Sequence, residues 1–328
     1  MVISRTPFRV SFFGGGTDYP VWYKKNGGAV LSTTIDKYCY LTARHLPPFF
    51  PHKHRIVYSK IEMVKDINEI LHPAVRATLN FLKIDKGLEI HHDGDLPART
   101  GLGSSSAFTV GLLNSLYALK GVMPSKGQLA KEAIHIERDI LKENVGAQDQ
   151  SAVAFGGFNK ITFGGEDEIK VEPVTLPGEK MRELKNHLML YFTGFSRTAS
   201  EIAKSQIANT PNKKRELSLM CQMVDQGIKI LNENQDICDF GKLLHETWLL
   251  KKSLTDKISI PETDRIYERA RRAGALGGKL LGAGGGGFMV LFVPPERQSS
   301  VKEALKDLLE VDFNFEKEGS QIIYYNQL

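Results

Sequence analysis

The chain has 328 residues, of which 41% are hydrophobic and 25% charged, so it can bury a sizeable core and lacks the composition of a disordered or fibrous protein. Its 43 Lys and Arg residues only slightly outnumber its 38 Asp and Glu and are spread along the chain, which favours small anionic ligands weakly and argues against nucleic-acid partners. The longest apolar run, residues 288–293, is too short to span a bilayer and the three cysteines lack paired spacing, so we expect a cytoplasmic protein with neither membrane contacts nor disulfides.

The first half of the chain begins with strands and continues with helices. Runs of β-branched and aromatic residues predict strands at residues 9–13, 29–44, 55–58 and 88–91, and apolar periodicity predicts helices at residues 104–119 and 128–142. A polar stretch without periodicity follows between residues 163 and 185. We therefore predict two lobes that meet near residue 180, with boundaries at 1–180 and 181–328.

The second half mixes strands with longer helices. The patterns predict a strand at 188–192, helices at 213–234, 243–254 and 262–273, a strand at 288–293, a helix at 297–309 and a last strand at 321–325. A glycine-rich turn precedes the strand predicted at 288–293. The second lobe therefore also contains a segment whose backbone can approach a ligand closely.

The most informative glycine cluster is the run GLGSSS, which consists of Gly101, Leu102, Gly103, Ser104, Ser105 and Ser106. Its glycines let the backbone approach a ligand closely, and its serines open a helix whose free N–H groups and positive dipole end favour phosphate. The alternative is a tight turn in which a serine caps the helix. A Walker A sequence is absent, because Gly278-Lys279 is followed by Leu280 and not by Ser or Thr. We therefore expect a phosphate-binding loop of a different kind.

A further cluster, GAGGGG at residues 282–287, matches the pattern GxGxxG. A dinucleotide-binding lobe needs a helix directly after these glycines, whereas this chain continues with the apolar run FMVLFV, which predicts a strand. A hairpin is better supported, and its glycines admit a ligand or another stretch of backbone. Gly284 and Gly285 are therefore candidate substrate contacts.

Three carboxylates are candidates for chemistry. Glu137 interrupts the apolar face of the helix predicted at 128–142, so it is a candidate Mg²⁺ ligand. The alternatives are that Glu137 pairs with a buried arginine or that it lies at the edge of the apolar face. Asp149 lies at the start of a short predicted helix, where the alternative is a helix cap. For Asp18, in GGGTDYP, the alternative is a turn carboxylate.

Three motifs stand in the order found in the GHMP kinases: RTPFRVSFFGGGTDYP near the start, LPARTGLGSSSA in the middle and KLLGAGGGGFMV near the end. Over most of its length the chain resembles this family, which includes galactokinase, homoserine kinase, mevalonate kinase and phosphomevalonate kinase. Within the family it is similar to kinases of D-glycero-D-manno-heptose 7-phosphate, through GGGTDYP at 14–20, IDKY at 35–38, GLGSSS at 101–106, TGFSR at 193–197 and GSQIIYY at 319–325.

The resemblance implies an α+β fold of two lobes, the first like ribosomal protein S5 domain 2 and the second ferredoxin-like, with the GLGSSS run holding ATP in the cleft. It also implies roles for single residues. Ser105 and Glu137 match the family's Mg²⁺ ligands, Asp149 its catalytic aspartate and Arg9 the arginine after the proline of the first motif. Substrate contacts are implied for the turn formed by Gly15, Gly16, Thr17 and Asp18, because Asp18 matches the aspartate that holds sugar hydroxyls in galactokinase.

Gly15 and Gly16 stand where galactokinases carry Glu-His, so two side chains that order galactose are missing and a larger sugar has room. The resemblance thus implies an ATP- and Mg²⁺-dependent kinase that phosphorylates the anomeric hydroxyl of D-glycero-D-manno-heptose 7-phosphate to give the 1,7-bisphosphate. We expect a monomer or homodimer. Arg197 is the candidate anchor for the existing phosphate, with Lys204 two helical turns further on, and its alternative is a solvated surface charge.

Two alternatives to this function stay open at this point. One is a GHMP kinase for another sugar, such as one like fucose or galactose. The other is a sugar sensor that keeps the fold without turnover, since a fold and a nucleotide loop do not establish chemistry. The presence of Asp149, Glu137 and Arg9 together argues against the sensor.

Overall fold

A computed structural model describes residues 1–165, 168–194, 199–233 and 235–326 of the chain. In these ranges strands and helices build two β-sheets with helices packed against them. The strands in chain order are β1 Val2–Phe13, β2 Gly28–His45, β3 His54–Val57, β4 Ile61–Val64, β5 Leu88–Gly94, β6 Phe158–Gly164, β7 Glu168–Pro173, β8 Leu188–Phe192, β9 Gly277–Leu280, β10 Phe288–Phe292, β11 Leu309–Glu310, β12 Phe315–Glu316 and β13 Gln321–Tyr325.

The helices lie between these strands, and within the described ranges none is long and apolar enough to cross a membrane. In chain order they are α1 Pro20–Asn26, α2 Pro73–Phe81, α3 Ser104–Leu119, α4 Lys126–Ile134, α5 Gln148–Phe155, α6 Gly178–Asn186, α7 Ala199–Asn209, α8 Lys214–Asn232, α9 Cys238–Ser253, α10 Pro261–Arg272 and α11 Gln298–Ala304.

The first sheet has the strand order β13-β1-β2-β5-β3-β4, and β6 and β12 also pair with β2, while β7 pairs with β6. Its centre is the long antiparallel pair of β1 and β2. Residues 8–13 of β1 and 28–35 of β2 are buried at every position, because α3 and α8 pack against both strands. This explains why the sequence shows runs of apolar and small residues there and not a clean alternation.

The second sheet is antiparallel and has the order β11-β8-β10-β9. An aromatic contact joins it to the first sheet. Phe240 of α9 lies with its ring centroid 5.5 Å from Phe12 and 4.9 Å from Phe13 of β1, and 6.2 Å from Phe292 of β10. All four rings are buried, so the two lobes share one core where they meet.

The chain crosses between the lobes twice. It leaves the first sheet after β7, and it returns after β11, because β12 pairs with β2 and β13 pairs with β1, where Val2 lies opposite Tyr325. The boundary near residue 180 stays a prediction, and this return of the last strands to the first sheet is a pairing that the patterns did not predict. Local periodicity reports that a segment is a strand, but not which distant strand it joins.

Several predicted elements differ from the structure at their ends. The helix predicted at 128–142 begins at Lys126, where Ser125 Oγ accepts a hydrogen bond from the backbone of Gln128, and it changes to a π-helix at His135–Ile140. The stretch expected to connect the lobes contains β7 and α6. The helix predicted at 297–309 ends at Ala304. By contrast, the predicted bounds of α3 and β13 are those of the structure.

Candidate active site

A cavity of about 840 Å³ lies where loops of both lobes meet, and it brings together most of the predicted site residues. Those that line it are Arg9, Gly15, Gly16, Asp18, Gly101, Gly103, Ser104, Ser105, Ser106 and Asp149. Segments far apart in the sequence, from β1 to the start of α5, therefore contribute to one site.

The GLGSSS run forms one wall of this cavity and leads directly into α3. Gly101 has φ 86° and Gly103, the residue before the helix, has φ 75°, a conformation that side chains other than glycine rarely adopt. No side chain caps this helix end, which removes the alternative of a capping serine and leaves the N–H groups of the first turn without a side-chain partner beside the cavity. These are the features that a phosphate-binding loop requires.

Arg9 and Asp149 form a bidentate ion pair beside this loop. Arg9 Nε donates to Asp149 Oδ1 at 2.8 Å and Nη2 donates to Oδ2 at 2.7 Å, while Nη1 donates to the carbonyl of Gly101 at 2.6 Å. Arg9 is buried, and the side chain of Asp149 keeps 27% exposure toward the cavity. Asp149 is the second residue of α5, and its carboxylate is bound by Arg9 and does not cap the helix. The pair fixes the carboxylate relative to the loop.

Asp18 lies on the other side of Asp149, in the turn that follows β1. Its Oδ1 accepts a hydrogen bond from the backbone of Gly16 at 2.9 Å, and its carbonyl accepts one from Ala147 at 3.0 Å. Burial raises the pKa of the Asp18 carboxyl, and the nearby charge of Asp149 raises it further. A side chain at Gly146 would overlap the Asp18 carboxylate, so Gly146 is needed for this close approach.

Glu137 is buried in the π-helix next to the serine loop. Its Oε2 accepts hydrogen bonds from Ser106 Oγ at 3.0 Å and from Gln150 Nε2 at 2.6 Å, whereas its Oε1 is buried without a partner in the described structure. Burial raises the pKa of Glu137 to about 7. In the described ranges no cation pairs with it, which removes the alternative of a buried partner of an arginine. Ser105, the predicted Mg²⁺ ligand, is exposed, and Ser106 is the serine that reaches Glu137.

Glu137 does not line the cavity, and four further predicted site residues also lie behind the cavity wall. Leu102 is fully buried, and the Thr17 hydroxyl donates to the carbonyls of Gly14 and Ala29, so both hold the loops in place. A Cβ at Gly284 would lie 2.5 Å from the carbonyl oxygen of Ile258, and the backbone N–H of Gly285 donates to the same oxygen at 2.9 Å. These two glycines therefore allow close packing of backbone on backbone. Arg197 lies outside the described residues.

Two lysines that were not predicted as site residues also line the cavity, Lys251 on α9 and Lys279 on β9. Both side chains are buried, with 4% and 2% exposure. A pattern could have revealed Lys251, because it continues the buried stripe of α9 at the spacing i, i+3, i+4, i+7. That stripe consists of Leu244, Thr247, Trp248 and Lys251.

The cavity places an oriented carboxylate beside a loop suited to phosphates, which is the arrangement of a phosphoryl-transfer enzyme. Family models agree with this class. The model of the GHMP kinases N terminal domain matches residues 67–157, and the model of the GHMP kinases C terminal domain matches residues 228–311. The D-glycero-alpha-D-manno-heptose 7-phosphate kinase of Campylobacter jejuni is 32% identical over 96% of this chain and 97% of its own length. The chain belongs to the GHMP kinase family.

Solved structures support the same fold. A D-glycero-D-manno-heptose 1-phosphate kinase from Bacteroides thetaiotaomicron superposes with a TM-score of 0.79 at 25% identity, over all of both chains. The Lactococcus lactis galactokinase, solved in complex with galactose, has a TM-score of 0.74 at 19% identity over 98% of this chain and 94% of its own, which shows the fold alone. The predicted two-lobed GHMP kinase fold and the predicted class, an ATP-dependent sugar kinase, are confirmed by these matches.

Proposed function

We propose that this protein transfers the γ-phosphoryl group of ATP to the anomeric hydroxyl of D-glycero-D-manno-heptose 7-phosphate, which gives the 1,7-bisphosphate and ADP. The observation that carries the proposal is the Arg9–Asp149 pair, which stands between the serine loop and the Asp18 turn. The similarity to the Campylobacter jejuni heptose 7-phosphate kinase, over nearly the full length of both chains, supports the choice of acceptor.

In this reaction the anomeric oxygen attacks the γ-phosphorus, the bond from the γ-phosphorus to the bridging oxygen breaks, and ADP leaves. Asp149 accepts a hydrogen bond from the attacking hydroxyl and orients it in line with the leaving group. Because Arg9 holds both carboxylate oxygens, the main contribution of Asp149 is position, and the hydroxyl proton passes to Asp149 or to solvent as the new bond forms. The guanidinium of Arg9 also stabilises charge on the transferring oxygens.

Glu137 fits a role in holding Mg²⁺ with the nucleotide phosphates. Its unpartnered Oε1 and the lack of a cation beside it suit a divalent ion, and Mg²⁺ is usually bound by one or two carboxylates together with substrate phosphates. This agrees with the described residues, which contain no cluster of three or more His, Cys, Asp and Glu able to hold a metal alone. Ser105 is the predicted hydroxyl ligand of Mg²⁺. Ser106 is a second candidate for this role, because it is the serine that contacts Glu137. When bound, the ion offsets negative charge on the phosphates.

The acceptor would lie on the turn formed by Gly15, Gly16, Thr17 and Asp18. Asp18, which lines this part of the cavity, is the acceptor that we propose for sugar hydroxyls; its carboxylate already receives the backbone N–H of Gly16 and the Gln148 side chain. Gly15 adds no side chain to this part of the cavity, which leaves space for the carbons beyond C5 of a heptose. The corresponding space at Gly16 is occupied by the Gln206 side chain, so this glycine does not enlarge the cavity.

A coupled assay of ADP release over a panel of acceptors tests the proposal. The panel consists of D-glycero-D-manno-heptose 7-phosphate, the same heptose without phosphate, mannose, galactose and fucose. We expect the highest kcat/KM for the phosphorylated heptose. Preferred turnover of galactose or fucose would contradict the proposed acceptor but not the kinase activity. Binding of a sugar without ADP release from any acceptor would favour the alternative of a sugar sensor without turnover.

A further inference from the structure

The two lysines in the cavity lack the partners that buried cations normally have. Lys251 Nζ donates to the carbonyl oxygens of Leu280 at 3.2 Å and Gly282 at 2.5 Å, and Lys279 Nζ donates to the carbonyl oxygen of Phe12 at 3.0 Å. In the described ranges neither forms an ion pair with a carboxylate. A buried ammonium group without a directly paired counter-ion is costly, so an anion bound in the cavity would stabilise the charged form of these lysines.

The surroundings carry more positive than negative charge. The cavity lining has five cationic side chains and three carboxylates, and Arg9 is already paired with Asp149. The other members of this set are Arg99, Lys142, Lys251, Lys279, Asp18 and Glu143. Burial lowers the pKa of Lys251 to about 8 and holds that of Lys279 well below its usual value, and repulsion between these cations lowers both further. Binding of an anion would relieve this repulsion.

The Lys279 ammonium group lies at the acceptor end of the cavity. A Cβ at Gly15 would stand 4.0 Å from Lys279 Nζ, 3.9 Å from Ser11 Oγ and 3.9 Å from Gln148 Nε2. Ser11 is only 4% exposed and its hydroxyl has no hydrogen-bond partner in the described structure. The space in front of Gly15 is thus lined by an ammonium group, a hydroxyl without a partner and the Gln148 amide, which also binds the Asp18 carboxylate. The ammonium group and the hydroxyl can donate to phosphate oxygens.

We propose that Lys279 and Ser11 form the subsite for the phosphate that the acceptor already carries, and that Lys251, which binds Gly282 next to the serine loop, adds positive charge beside it. This inference rests on the proposed function, since it requires an acceptor with a phosphate distal to the hydroxyl that reacts. The position in front of Gly15 favours this source over the γ-phosphate of ATP, which the serine loop and Arg9 face. Arg197 stays a separate candidate anchor for the same phosphate. Variants of Lys279 and of Arg197 can therefore be compared in one experiment.

The test measures kcat/KM for D-glycero-D-manno-heptose 7-phosphate and for the unphosphorylated heptose in the variants Lys279→Met and Lys251→Met. Lys252→Met is the matched control, because Lys252 is adjacent but binds Asp264 on the outer side of α9. We expect Lys279→Met to lower kcat/KM for the phosphorylated heptose about 100-fold and to change that for the plain heptose less than about threefold, the scale of losing one buried charge contact. Arg197→Ala is measured in parallel.

The outcomes separate this inference from the proposed function. If the wild type does not prefer the phosphorylated heptose, the proposed acceptor fails. If the wild type prefers the phosphorylated heptose and Lys279→Met keeps this preference, the lysine subsite is wrong and the proposed acceptor is not affected. An equal loss with both acceptors would place the lysines on the transferred phosphoryl group and would also overturn the inference.

Stability provides a second readout. Met is similar in length to Lys and removes a buried charge, so we expect Lys279→Met to keep or raise the melting temperature and to bind ATP as the wild type does. If Lys279→Met does not fold, Ser11→Ala carries the test, with an expected loss of about tenfold for the phosphorylated heptose only. An unchanged preference in Ser11→Ala would then count against the subsite.

Discussion

The two ends of the cavity are built in different ways. The proposed nucleotide end is one continuous run, residues 101–106, which offers backbone N–H groups and glycines with positive φ, and the other end is the proposed acceptor end. The acceptor end is assembled from side chains that are distant in the sequence, such as Ser11, Gln148 and Lys279. A contiguous backbone site can be read from a motif, whereas a site made of dispersed side chains depends on the tertiary fold. The continuous backbone run suits the binding of phosphates in general. The dispersed side chains suit the selection of one particular acceptor.

The largest effect is expected at the point where the two ends meet. Asp149→Asn removes the charge that orients the acceptor hydroxyl, so we expect kcat to fall about 100-fold or more, with little change in ATP affinity. Steady-state kinetics and calorimetry measure the two quantities. The matched control is Asp139→Asn, because that carboxylate binds His135 and Arg138 away from the cavity lining. A near-normal kcat in Asp149→Asn would show that Asp149 is only a structural partner of Arg9.

The next effect tests the nucleotide end alone. Gly103→Val forces a branched side chain into a backbone with φ 75°, and its Cβ would stand 3.1 Å from Arg9 Cγ. We expect the Kd for ATP, measured by calorimetry, to rise about 10- to 100-fold while the protein stays folded. Gly164→Val is the control, since a Cβ there meets nothing within 4 Å. Unchanged affinity in Gly103→Val would show that ATP is not held by this loop.

A smaller effect is expected for the metal. Glu137→Gln keeps the shape and removes the charge, so half-maximal activity should require about tenfold more Mg²⁺. Because the pKa of Glu137 is about 7, protons compete with the ion in the wild type, and its Mg²⁺ requirement should rise as the pH falls from 8 to 6. The variant should lack this pH dependence. Glu132→Gln, whose carboxylate binds Tyr117, serves as the control. A variant that merely melts earlier would make Glu137 structural.

The smallest effect concerns stability and the acceptor end. Folding lowers the pKa of Lys251 to about 8 from 10.5, so between these values the unfolded chain binds more protons than the folded one. This group therefore makes the free protein more stable as the pH rises from 8 to 9, by about 1 kcal/mol. Urea unfolding of Lys251→Met should show a pH slope that is lower than the wild-type slope by this amount. An identical slope would mean that Lys251 titrates normally and is not a buried cation.

Sequence patterns were most informative where the structure is local. The bounds of α3 follow from periodicity that begins directly after Gly103, and β13 was predicted over its full length. The π-helix at His135–Ile140 and the pairing of β13 with β1 were not predictable, because neither leaves a local pattern. The contact between Ser106 and Glu137 was missed for a geometric reason. One step along a helix turns a side chain by about 100°, so a motif that names the neighbour Ser105 cannot decide which serine faces Glu137.

The double crossing between the lobes limits how the cleft can open. A lobe attached by one strand can swing about a single hinge, but here the chain leaves after β7 and is anchored again by β12 and β13 in the first sheet. Rotation is therefore confined to one axis through the two crossings, and a wide swing would pull Phe240 away from Phe12 and expose rings that are now dry. We therefore expect substrates to enter by local rearrangement of the loops at the rim and product release to depend on loop motion more than on separation of the lobes.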